Sequence, residues 1–447
     1  MPNQTNGETE VRSTPSLAHR LQNRSLMEKR REFDIVLWGA TGFVGRRVAH
    51  HLAQRMADGT ELRLALGGRE TDDLQALRAR LPSAAAEVPL VLGDSFDKSS
   101  LEAMAARTRL VCSAVGPYAK YGSELVAACV RNGTDYCDIS GETHWMRQMM
   151  DTHQADAERS GARLIQTCGF DSIPSDLGVF VLQREAMEQI GKPCARIRMR
   201  VKSMRGGLNG GTAASFLYRN EQKAGDSSIR QIINDPYSLN PPGERHGPDV
   251  PTGFNAKAVF DEGLSAWTLP FVMAPINTKV VRRSNALMGY PYGREFRYEE
   301  AMLAGSGVGG WVAASLGALG TAALMGALRL RPTRWLLTKV MPKPGEGPSD
   351  EMRRTGRYEL LFIGELADGS DLRLRIRGEG DPNTESTSKL MAEAALCLAR
   401  DDIDVGGGFW TPASALGEAL VSRVIANDVL RIEFVDTAGV VRRMEAA

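Results

Sequence analysis

From Asp34 to about residue 170, short apolar runs alternate with stretches whose apolar residues return every three or four positions. The runs predict strands at 34–38, 62–66, 88–92, 109–115, 135–139 and 163–168. The periodic stretches predict helices near 43–57, 71–80, 98–106, 122–131 and 143–160. Val44, Val48, Leu52 and Met56 give the first helix one apolar face, and Asp58-Gly59 ends it. Six strands with helices between them specify an α/β fold, a doubly wound parallel sheet with right-handed crossovers. Ligands of such sheets bind beyond the carboxyl ends of the strands, so functional residues are expected just after each strand.

The pattern changes near residue 195. Ala195–Lys202 alternates Ile197, Met199 and Val201 with arginines, an antiparallel strand with one wet face. Runs at 278–283, 294–299, 357–365 and 370–377 extend this to a second, α+β substrate domain with a mostly antiparallel sheet. Gly206–Thr212 opens a helix at Ala213 and reads either as an anion site or as a connection. Residues 223–262 form a polar excursion. Helical patterns at 389–398 and Pro412–Ile425 are expected to pack back on the first domain, and Val429–Val435 is a last strand. The domains expected are 33–176, 177–386 and a returning segment at 387–447, after a leader at 1–32.

Residues 302–328 carry no charge, with arginines at 329, 331 and 334 directly after. The length would cross a bilayer. Seven glycines between 305 and 326 and few large aliphatics make it a poor span. A buried small-residue helical pair, a span and a helix lying in a membrane interface remain open, and strands of one domain on both sides of the segment disfavour the span.

Composition narrows the class. Hydrophobic content of 43% and charged content of 24% suit a soluble globular protein, and a net charge of +1 disfavours nucleic-acid binding. The six cysteines form no Cys-x-x-Cys pair, and neither they nor the six histidines show metal-ligand spacing; a reducing compartment with no metal is expected. The first 32 residues are polar without an apolar core, a disordered leader and no secretory signal; their acidic residues disfavour a transit peptide.

The chemistry concentrates at the strand ends. Gly39, Gly42 and Gly45, after a strand and before a helix, form a turn that holds a dinucleotide pyrophosphate, with Thr41, Phe43 and Val44 between them. Gly39 permits the turn, Gly42 lets backbone reach phosphate, and Gly45 lets helix approach strand. Arg69 follows the second strand where an acidic residue would hold an NAD ribose, so it favours NADP, with NAD as alternative; it also reads as a surface arginine. Asp94 either meets the adenine amine or caps the helix near Lys98. Val115, Gly116 and Pro117 pass the nicotinamide half, and Tyr118, then Asp171, are the proton-donor candidates. Tyr118 could equally stack on the cofactor. Ser140-Gly141-Glu142 ends the fifth strand, and Ser175 and Asp176 read either as caps of a helix at 177–189 or as catalytic residues.

These residues resemble the saccharopine dehydrogenase-like oxidoreductases, nearest the branch of bacterial trans-acting enoyl reductases and the animal saccharopine dehydrogenase-like protein. The resemblance rests on Gly39–Gly45, Val115–Tyr118 with Tyr121-Gly122, Cys137–Glu142, and Gly169–Gly178. It continues through Gly210–Thr212, Val280–Ser284, Pro342–Ser349 and Gly380–Pro382, departing at Asn383, where a glycine is expected. It implies a Rossmann domain binding NADP or NAD, plus an α+β substrate domain. In the bacterial branch it implies reduction of a double bond on a polyketide-derived lipid, and in the animal branch membrane or lipid-droplet association. Saccharopine is polyanionic and needs convergent cations, whereas the uncharged stretch suits an acyl chain. The expected function is an NADPH-dependent reductase of a lipophilic substrate in lipid biosynthesis, cytoplasmic and in peripheral membrane contact. A homodimer is left open. The alternatives are a dinucleotide-binding membrane scaffold without turnover and a saccharopine-type amino-acid dehydrogenase.

Overall fold

The computed structural model describes residues 31–248, 257–328, 330–343, 345–436 and 439–446, so the expected leader, apart from Arg31 and Glu32, and residues 249–256 of the excursion lie outside the described residues. The first sheet is parallel. Its strands are β1 (Phe33–Trp38), β2 (Leu64–Gly68), β3 (Leu90–Leu92), β4 (Thr108–Ser113), β5 (Asp135–Asp138) and β6 (Arg163–Ile165). They lie in the order β3-β2-β1-β4-β5-β6, with a late strand, Gly408–Trp410, added beyond β6. Strand order reverses between β1 and β4, the position at which doubly wound sheets bind ligands.

Every residue of β1 is buried, as a central parallel strand requires. Side chains alternate between faces: Ile35 and Leu37 join one core with Val48 and Leu52, while Val36 and Trp38 join another with Leu101 and Val126. The helix Thr387–Arg400 returns to the first helix, Gly45–Ala57. There the fully buried Glu393 accepts from His51 Nε2 at 2.9 Å and from Asn427 Nδ2 at 2.9 Å.

The second sheet holds β7 (Arg196–Arg205), β8 (Val259–Asp261), β9 (Ala266–Pro270), β10 (Arg297–Gly305), β11 (Arg357–Glu365) and β12 (Asp371–Glu379). With Gly408–Trp410 counted as β13, β14 (Arg431–Val435) and β15 (Val441–Arg443) complete it, in the order β15-β14-β12-β11-β7-β10-β9-β8. Pairing is antiparallel except between β7 and β10.

Three expectations are corrected. The run at 278–283 is part of a helix, Ala274–Leu287, not a strand. That helix is buried on several sides: Val280 enters one core and Val281 the other, while Arg283 reaches the Phe409 carbonyl at 2.6 Å. A helix buried all round loses the one-sided pattern that marks it in sequence. The strand expected at 294–299 lies at Arg297–Gly305 and takes the first residues of the uncharged stretch. Gly305, at φ +104°, ends it, and the helix Gly307–Ala327 carries the rest. The strand expected at 163–168 stops at Ile165, because Thr167 turns into the left-handed region at φ +64°.

Candidate active site

A cleft of about 230 Å³ opens beyond the carboxyl ends of β1, β4, β5 and β6, closed on its far side by the second domain. Gly42, Phe43 and Val44 line it, with Gly116, Glu142 and Asp171. Gly39 sits at φ +81°, and a Cβ there would fall 2.5 Å from the Val115 side chain. At Gly45 a Cβ would fall 2.1 Å from the Gly39 carbonyl oxygen. The turn closes through Gly42 N–H on the Gly39 carbonyl at 3.0 Å. Glycine is therefore required by close approach at two corners, and the helix Gly45–Ala57 starts from the same turn. The cradle suits a diphosphate. Its remaining expected members, Thr41, Val115 and Pro117, belong to the same two loops but not to the cleft wall. Arg69 is exposed just past β2, with no hydrogen bond or ion pair among the described residues.

Asp94 was open between two roles, and the cap of the helix Lys98–Arg107 is Asp97, which accepts from Ser99 N at 3.0 Å. Asp94 Oδ1 accepts from Phe96 N at 2.8 Å within its own loop. Asp176 does not cap a helix either. The helix runs Ile173–Ile190, and Asp176, inside its first turn, accepts from Ser284 Oγ at 2.6 Å and Ala413 N at 2.8 Å. Burial pushes its carboxyl up to about 7.

The two donor candidates part company here. Tyr118 is buried; its hydroxyl donates to the Ser113 carbonyl at 2.9 Å, and burial raises its pKa well above the usual phenol value. Tyr118 nonetheless lines the cleft with Asp171. Asp171 lines the cleft, makes no hydrogen bond among the described residues, and is pushed up to about 6 by burial. A carboxyl in that range is protonated in part near neutrality, and that form can give up its proton.

Several residues of the cleft were not singled out as site residues in the sequence. Glu142 accepts from Tyr118 N and Ala119 N, both at 2.8 Å, and so fixes the loop after β4. Burial raises its pKa against those bonds. Arg219, from the helix Gly210–Gly225, faces it across the cleft; burial lowers the guanidinium pKa and Glu142 opposes this. Asn209 caps that helix through Thr212 N at 2.9 Å, which uses the N-terminus that had read as an anion site. Its amide also reaches the Asn383 carbonyl at 2.8 Å, and Asn383 returns a bond to the Gly207 carbonyl at 3.0 Å. The departure at Asn383 thus ties two cleft loops together.

Residues 35–165 match the saccharopine dehydrogenase NADP binding domain. The trans-acting enoyl reductase of Mycobacterium tuberculosis is 39% identical over 411 residues, 88% of this chain and 96% of that protein. That of Mycobacterium leprae is 39% identical over 416 residues, covering 90% and 97%. The chain belongs to the trans-acting enoyl reductase family. A second M. tuberculosis protein, which bears that name provisionally, is 41% identical over 410 residues, 89% of this chain and 97% of the relative. Apo saccharopine dehydrogenase (L-Glu forming) of Saccharomyces cerevisiae shares the fold, with a TM-score of 0.51 at 14% identity over 90% of this chain and 99% of that one. The parallel sheet of this family member is thus an NADP-binding Rossmann domain, and the protein is an NAD(P)H-dependent oxidoreductase. Its glycine corners, which a Cβ would fill, fit that cofactor.

Proposed function

We propose that this family member reduces an activated carbon–carbon double bond of a lipophilic substrate while seated on a membrane surface, with Asp171 as proton donor. The composition of the cleft wall carries the reading. Among the described residues its charged members are Glu142, Asp171 and Arg219, beside Phe43, Phe216, Val272, Met273 and Ile276. One cation already faced by a carboxylate is a poor receptor for a polyanionic amino acid, while the apolar wall suits an acyl chain.

NADPH, when bound, supplies a hydride. The chain's own residues do the rest. Gly42, Phe43 and Val44 present backbone to the diphosphate. Glu142 holds the loop of Tyr118 and Ala119 in place beside the reacting end. Asp171 gives its carboxyl proton to the carbon next to the one that receives hydride, becomes a carboxylate, and recovers a proton from water.

The membrane part of the reading rests on the helix Gly307–Ala327. Gly310, Ala314 and Ala318 face the protein, while Val308, Trp311, Val312, Leu316 and Leu319 face outward, Leu316 at 65% exposure. The next helix, Arg331–Val340, adds exposed Trp335, Leu336 and Val340. Cations at Arg334, Lys339 and Lys343 flank them, an arrangement suited to an anionic interface.

The test is oxidation of NADPH on addition of a lipid extract to the purified protein. Extract-dependent oxidation that vanishes in Gly42→Asp and in Asp171→Asn supports the reading. NADPH binding without any oxidation favours the scaffold alternative, and oxidation undiminished in Asp171→Asn removes the role of Asp171.

A further inference from the structure

A second cavity, of about 410 Å³, lies on the other side of the first turn of the helix Ala274–Leu287. Met273 and Ile276 face the cofactor cleft, whereas Ala274, Pro275 and Thr278 face this cavity, and the two share no wall residue. Its wall combines apolar groups with buried polar ones, which is the composition of a ligand site.

Arg282 is the informative member. It is only 9% exposed and lines the cavity. Its guanidinium donates to the Pro236 carbonyl at 3.4 Å and the Tyr298 carbonyl at 3.5 Å, both long, and it makes no ion pair among the described residues. The guanidinium also lies 5.4 Å from the centre of the Tyr237 ring; long bonds to neutral oxygens and one ring face compensate the desolvation of a buried cation only in part. The facing carboxylate, Glu300, is engaged elsewhere: it accepts from Tyr298 OH at 2.8 Å and Asn277 Nδ2 at 3.0 Å. Burial pushes Glu300 up to about 7, which lessens its negative charge, and the second carboxylate of the wall, Glu299, is countered by Arg200 at 2.7 Å and Arg196 at 2.9 Å.

The apolar part of the wall points to the rest of the ligand. Leu269 and Phe271 line the cavity, and Leu269 also touches the helix Gly307–Ala327, since a Cβ on Gly317 would fall 2.5 Å from it. The cavity therefore backs directly onto the helix whose outer face is apolar.

We propose that this cavity is a second ligand site, which takes the anionic head of a single-chain amphiphile against Arg282 and its alkyl chain along Leu269 and Phe271. The head is a carboxylate or a phosphate monoester, both of which match a guanidinium. The site is separate from the cofactor cleft and does not depend on the reduction proposed above. Only the route of entry, from a lipid surface, rests on that reading.

Isothermal titration of the full-length protein with decanoate, decyl phosphate and decanol tests it. One-site binding of at least one of the anions, about tenfold or more tighter than decanol, is expected, and the tighter anion identifies the head. Arg282→Gln should remove that preference while NADPH affinity is unchanged, and Arg282→Lys should restore part of it. If Arg282→Gln fails to fold by thermal melting, Ala301→Phe, which fills the cavity, decides: it must abolish anion binding. Equal binding of decanol, competition with NADPH, or full anion binding in Ala301→Phe overturns the proposal. So does loss of anion binding in Leu316→Asp, which would place the ligand on the exposed helix. NADPH binding and extract-dependent oxidation are read separately, so failure of the reductase reading leaves this test intact.

Discussion

The Glu142 carboxylate accepts the backbone N–H groups of both Tyr118 and Ala119 at 2.8 Å, one on each oxygen, and so anchors the loop after β4 from the end of β5. Hydrogen bonds to a charged acceptor contribute about 1.5–3 kcal/mol each. Glu142→Gln keeps one acceptor and turns an amide N–H₂ toward the second N–H. The expected result is a lower melting temperature and NADPH binding weakened several-fold, read by thermal denaturation and fluorescence titration. Tyr118→Phe removes the bond to the Ser113 carbonyl and a long one, 3.4 Å, accepted from Ile139 N, and should cost about 1 kcal/mol of stability with NADPH affinity kept.

Arg69 stands exposed one residue past β2, where the adenosine ribose of a dinucleotide lies in sheets of this order. With no carboxylate engaging it among the described residues, its guanidinium is available for a 2′-phosphate. NADPH is expected to bind more tightly than NADH, and Arg69→Ala to erase the difference mainly by weakening NADPH. Equal affinities in the unmodified protein would remove this role.

Asp176 gives a pH dependence of defined sign. Its carboxyl is raised to about 7 in the folded protein, above its unfolded value, so the folded state holds the extra proton. Its contribution is fully present below the unfolded pKa of about 4 and is lost as pH rises toward 7. Asp176→Asn retains a neutral acceptor for Ser284 or for Ala413 N and does not titrate. The unfolding free energy of Asp176→Asn relative to the parent protein, read by denaturant titration, should therefore rise between about pH 4 and pH 7, with a limiting slope of about 1.4 kcal/mol per pH unit. A difference flat with pH would refute the assignment.

The parallel sheet was legible because its signals are local: an all-buried run, a glycine turn and a helical repeat sit side by side between Phe33 and Ala57. The Asp171 loop was legible for the same reason, as it ends a strand. Arg219 and Glu142 meet only through tertiary approach of two domains, and no spacing in the chain announces that. Val280-Val281 misled because β-branched neighbours favour strands on propensity, yet two cores on opposite sides claimed one residue each. Gly408–Trp410 was missed because three residues carry no period. Asp94 and Asp97 show the limit at single-residue scale, since both precede the helix and only geometry separates the cap from its neighbour.

The outward faces of Gly307–Ala327 and Arg331–Val340 put Trp311, Leu316, Leu319 and Trp335 in solvent, Trp335 at 61% exposure with Lys339 Nζ 3.7 Å from its ring. Fully burying one such side chain contributes about 1.5–3 kcal/mol, and each nearby lysine or arginine about 1 kcal/mol at an anionic surface. The protein should co-sediment with vesicles containing anionic lipid and less with zwitterionic ones. Raising salt should weaken binding without abolishing it, because the apolar part is not screened. Leu316→Asp should lower the partition coefficient by about tenfold or more while Trp fluorescence and NADPH affinity report an intact fold. Gly317→Leu acts on the opposite side of the same helix, against Leu269, and should instead lower the melting temperature. Vesicle binding unaffected by Leu316→Asp would show that this face is not the docking surface.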